Sequence, residues 1–100
     1  MTEKAKSKNP TAQDFLSQAK ALMDERGKQY DQDDGERSAQ KVATAFNAIT
    51  GKKVSASEIW LMLLILKQVR QWNTENCHQD SAEDSVAYAA LLSEELSKVS

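Results

Sequence analysis

The residues best suited to chemistry lie in the second half of the chain. Lys67 and Arg70 stand three apart at the end of an apolar stretch, Asp80 and Asp84 stand four apart after a polar turn, and Tyr88 follows one helical turn later. On helices, spacings of three and four put side chains on neighbouring positions of one face. If the two segments form an antiparallel hairpin, the end of one meets the start of the other, and two cations face two carboxylates. Such a group can converge on an anion. It can also hold a hard cation such as Mg2+ between the carboxylates and a phosphate, or its members can simply neutralise one another. His78, in the turn beside Asp80, is a candidate general base or phosphate contact, or a polar surface residue. Trp60 reads as core and Trp72 as a rim residue able to stack on a base. There is no glycine-rich phosphate loop, GxSxG elbow or HExxH pair.

The elements that must position these residues read as helices. Residues Met1 to Pro10 are polar, carry Lys4, Lys6 and Lys8, and are expected to form a disordered tail. Thr11 caps a first helix with Phe15, Ala19, Leu22 and Met23 at helical spacing, and Gly27 is expected to stop it. The aspartate-rich stretch GKQYDQDDGER then reads as a shaped loop holding Tyr30. A second helix runs from about Ser38 to Thr50, with Val42, Ala45, Phe46 and Ile49 as its apolar stripe and Gly51 in the left-handed position after it. A third starts at SASE, where Ser55 and Glu58 have capping-box spacing, and continues to Trp72 with a middle that is apolar all round. After NTENCHQD, Ser81 and Asp84 resemble another cap, and a last helix with Val86, Ala87, Ala90, Leu91 and Leu92 reaches about Lys98. The fold expected is all-α and four-helix bundle-like, a single domain over 11–100 behind a tail over 1–10.

Composition agrees with that architecture. One hundred residues suffice for one core; 40% hydrophobic against 28% charged residues describes a globular chain; three glycines and one proline are too few for a turn-rich β fold. The longest apolar run, Ile59 to Leu66, is too short to span a bilayer. Thirteen basic and fifteen acidic residues give a net charge of -2, which supplies no global attraction to nucleic acid or an anionic membrane. The single cysteine, Cys77, cannot form an internal disulfide, and with one histidine the chain has no four-ligand zinc set. The cytoplasm is the expected setting.

Three stretches, ERGKQYDQDDGERS, LLILKQVR and HQDSAEDSVAYAALL, together resemble a family of small, mostly phage-encoded proteins with an RGxxYG-like motif, a KxxR ending an apolar helix and a DxxxDxxxY opening the last one. That family is similar in turn to the MazG-like nucleoside triphosphate pyrophosphohydrolases, Mg2+-dependent all-α proteins that form dimers or tetramers. The resemblance spans about Leu22 to Leu92 and falls on Arg26, Gly27, Tyr30, Lys67, Arg70, Asp80, Asp84 and Tyr88, with Asp31 where relatives often have glycine. It implies phosphate or substrate contacts from Lys67, Arg70, Arg26, Tyr30 and Tyr88, and Mg2+ on Asp80 and Asp84. The pyrophosphohydrolases carry ExxE on one helix and ExxD on the next. Here Lys67 and Arg70 occupy the first of these helices, and only Asp80, Glu83 and Asp84 have a counterpart in the second.

The expected function is therefore binding of a nucleotide or related phosphorylated small molecule, with pyrophosphohydrolase activity left open. The alternative is a non-enzymatic phage accessory protein that binds a host protein through the acidic loop Asp31 to Glu36 and exposed apolar surface. Nucleic-acid binding has only the lysine-bearing tail in its favour. A homo-oligomer, first of all a dimer, suits either reading, because the third helix has more apolar surface than three neighbours comfortably cover.

Overall fold

In the computed structural model, residues 9–29 and 38–98 are described, and they form four α-helices with no strand among them. These are α1 (Ala12–Gln29), α2 (Ala39–Thr50), α3 (Ala56–Trp72) and α4 (Gln79–Ser97). The all-α expectation holds. The expected tail lies outside the described residues up to residue 8, as do Tyr30 and the acidic loop.

Local chemistry explains most of the boundaries. Thr11 and Asp14 form a reciprocal cap: the Asp14 N–H donates to Thr11 Oγ1 at 3.1 Å, and the Thr11 N–H donates to Asp14 Oδ2 at 2.9 Å. Ser55 and Glu58 do the same for α3, through Glu58 N–H to Ser55 Oγ at 3.2 Å and Ser55 N–H to Glu58 Oε1 at 2.7 Å. Gly51 ends α2 at φ 77°, its N–H donating to the Asn47 carbonyl at 2.8 Å. Asn47 then clasps the next connection, its side chain bonding both the N–H and the carbonyl of Val54.

Two expected boundaries are corrected. Helix α1 does not stop at Gly27 but runs on to Gln29, with Gly27 buried on its inner side. A glycine inside a helix costs about 1 kcal/mol, and here the last turns are held by an ion pair from Arg26 into the neighbouring helix. Ser81 and Asp84 do not cap α4 either. His78 occupies that place, and both residues are buried inside the helix.

Helix α4 packs on α1 and α3, and α3 packs on α4 and α2, so the neighbours run in the order α1, α4, α3, α2. The central apolar cluster is Ala39, Ala43, Ala56, Ile59, Trp60 and Leu91, with Met23, Val54, Leu63, Tyr88 and Leu92 packed against it. Alanines let helix backbones approach closely. They also explain why the expected stripe of α2 faces the wrong way: Ala39 and Ala43 make the contact, while Val42, Ala45, Phe46 and Ile49 are exposed. Trp60 is buried as expected, its ring 5.6 Å from that of Tyr88 and tilted by 33°. No helix among the described residues is long and apolar enough to cross a membrane.

Candidate functional site

The buried polar groups of α4 form one stripe. Ser81, Asp84 and Ser85 lie at intervals of three and one on the side of the helix that packs inward, and the same side continues through Ala87, Tyr88 and Leu91. A charged or hydroxyl group in that position must find partners within the protein, because water cannot supply them.

Asp84 finds two. Lys67 Nζ of α3 lies 2.8 Å from Asp84 Oδ2, and Arg26 Nη2 of α1 lies 3.1 Å from Asp84 Oδ1. The three side chains come from three helices and are only 14%, 26% and 9% exposed for Lys67, Arg26 and Asp84. One carboxylate thus holds two cations from two different helices. Low exposure keeps these attractions from being screened as surface pairs are. The cluster also explains how α1 and α3 are tied together across α4.

Ser81 and Ser85 are served by a second set of contacts. The Ser81 N–H donates to His78 Nδ1 at 3.3 Å, and Ser81 Oγ lies 2.6 Å from the same nitrogen. The His78 N–H donates to Gln71 Oε1 at 2.9 Å, which fastens the start of α4 to the end of α3. Gln68 Nε2 donates to Ser85 Oγ at 3.0 Å, and Trp72 Nε1 donates to Gln68 Oε1 at 3.3 Å. Beside this chain, Ala12, Phe15, Leu16, Gln68, Gln71, Ala82, Ser85 and Val86 line an apolar pocket of about 520 Å³.

The expected group of four is therefore assembled differently. Lys67 and Asp84 meet as the hairpin geometry requires. Arg26, placed by the resemblance, joins them. Arg70 does not: it is exposed and has no ion pair among the described residues. Three residues on from Lys67 it is rotated by about 60° around α3, enough to turn it away from α4. Asp80 is also exposed: around the helix axis it falls between the buried Ala87 and Leu91, but it stands in the first turn of α4, about two turns before Ala87. Tyr88 stands one turn beyond Asp84 and packs on Trp60. Tyr30 lies outside the described residues. Cys77 is free and exposed.

The described residues do not by themselves assemble a divalent-cation site: both oxygens of Asp84 already face positive charge, Asp80 is exposed at the helix start, and no group of three potential ligands occurs among them. Gln68 and Ser85 are not legible as a pair in the sequence because they meet only once α3 packs on α4, which buries Ser85 and leaves Gln68 exposed at its edge. The nearest signal is the polar series Ser81, Asp84, Ser85 at helical spacing, which reads as a cap when the helix start is placed three residues too late.

These features define an all-α protein with a buried Arg–Asp–Lys cluster at the junction of three helices. Residues 14–96 match the family described as a domain of unknown function (DUF6378), and the chain belongs to that family. The match covers all members of the cluster. Neither a curated protein nor a solved structure matches the chain.

Proposed function

We propose that the protein binds a nucleotide or related phosphorylated small molecule at the Arg26–Asp84–Lys67 junction. The observation that carries this reading is the convergence of two cationic side chains, from two helices, on one nearly buried carboxylate. Asp84 engages each cation at one oxygen, so it fixes the positions of both. Preorganised cations of this kind favour an anion because little side-chain entropy remains to be lost on binding. Lys67 brings three N–H donors and Arg26 a planar guanidinium, which matches phosphate oxygens in a fork. Tyr88, one turn along α4, borders the same region and adds an aromatic edge. Binding is the extent of the proposal; no hydrolytic step follows from the described residues.

The test is thermal unfolding with a panel of nucleoside mono-, di- and triphosphates, each with Mg2+ and with a chelator. Ligand at 100 times its Kd stabilises by about 2.7 kcal/mol, a rise of about 10 °C or more for a domain of this length. The proposal expects that rise for at least one phosphorylated ligand in the chelator arm, and its loss in Lys67→Gln. No rise across the panel, or an undiminished rise in Lys67→Gln, overturns it.

A further inference from the structure

Helix α3 has two apolar sides and only one of them is covered. Ile59 and Trp60 are buried and Leu63 packs against the central cluster. Leu61, Met62, Ile65, Leu66, Val69 and Trp72 are 44%, 47%, 51%, 41%, 51% and 81% exposed. At 3.6 residues per turn those six fall within one arc about 140° wide, and no other residue between 61 and 72 falls inside it. Met62, Ile65, Val69 and Trp72 follow one another at steps of three, four and three, the seam of a coiled coil, and Leu61 and Leu66 flank the seam. Helix α2, packed on α3, adds Val42, Phe46 and Ile49 at steps of four and three, 47%, 39% and 84% exposed.

We infer that this face joins two copies of the chain about a two-fold axis, with α3 of one protomer packed on α3 of its partner. Area is the first argument. The largest bare apolar patch on a monomer is about 300–600 Å², whereas these nine residues expose on the order of 1,000 Å², and a stable pair buries about 800 Å² on each partner. The second is chemical. The arc from Leu61 to Trp72 contains no charge, so it has nothing with which to select a charged partner, while a seam of apolar knobs is complementary to itself under a two-fold rotation. The third is the modest core. Among the described residues only Ile59, Trp60 and Leu91 of the buried apolar set are larger than alanine, and pairing adds the bare face of each copy to the apolar surface removed from water.

Sedimentation velocity of the full chain from about 1 to 100 µM tests the inference. The expected species has twice the 11.1 kDa mass of the chain. Ile65→Glu, at a position exposed in the protomer, is expected to keep the helical circular dichroism and weaken association at least about 100-fold, as loss of a central contact does. In a Cys77→Ser background, Ile65→Cys is expected to cross-link into dimers under mild oxidation, and Lys52→Cys is not. A monomer throughout the range overturns the inference and leaves the face to a different protein. A dimer as tight in Ile65→Glu as in the wild type overturns it too, since another surface then makes the contact.

Discussion

Asp84 is the residue on which three helices depend. Removing it takes from Lys67 and Arg26 the carboxylate they share, and the cost is set by the loss of that partner at a site largely closed to water rather than by the strength of the bonds alone. Asp84→Ala is expected to lower the unfolding free energy by about 3 kcal/mol in urea titration, whereas Asp80→Ala, at an exposed position, should change it by less than about 0.5 kcal/mol. The contrast is informative because the two aspartates are equivalent by spacing. Their difference arises from one turn of height at the start of α4, too fine to be legible from residue types. Lys67 and Arg70 diverge instead by about 60° of rotation around α3. Lys67 and Asp84, by contrast, were legible, since an antiparallel hairpin brings the end of one helix to the start of the next whatever the details of packing.

At the scale of the element, the capping chemistry is where sequence and structure agree best, because it depends on residues three apart. Ser55→Ala removes the hydroxyl that accepts the Glu58 N–H and should cost about 1 kcal/mol. Gly51→Ala should cost about 1 kcal/mol by a different route: a Cβ there meets nothing within 4 Å, so the penalty is backbone strain at φ 77° alone. Measured by chemical denaturation, the two costs should add, since they act at opposite ends of a short connection through unrelated groups. The start of α4 is less regular. His78 supplies the capping acceptor through Nδ1, which shares its lone pair with the N–H and hydroxyl of buried Ser81. His78→Ala should therefore cost more than a plain cap, about 2 kcal/mol, because the Ser81 hydroxyl loses its partner as well. His78→Asn, which can still accept the Ser81 N–H, should recover part of that loss in the same denaturation series. A histidine in a polar turn reads as surface or catalysis before its helix start is known, which is why this role was not legible.

At the scale of the whole molecule, the order α1, α4, α3, α2 covers α4 well and leaves one side of α3 bare. If that side pairs with a second copy, stability belongs to the dimer, and the unfolding midpoint should rise with protein concentration. Ile65→Glu should abolish that dependence while leaving the helical signal below the transition unchanged. The phosphate proposal is separable from pairing, because the Arg26–Asp84–Lys67 junction faces α4 and α1 rather than the bare arc.

The number and type of the elements, the caps of α1 and α3, the left-handed end of α2 and the excess of apolar surface on α3 were all determined by sequence alone. These depend on composition and on periods of three and four, which are properties of neighbours along the chain. Tertiary structure decided the rest: that Arg26 and not Arg70 shares Asp84 with Lys67, that Asp80 stays outside, that α2 packs through its alanines, and which side of α3 is left open. Each of these is a choice of rotation or of height between helices that are individually amphipathic in more than one direction. Such a choice is made by close packing of small residues and by the need to pair a buried carboxylate, two constraints that exist only once the helices have met.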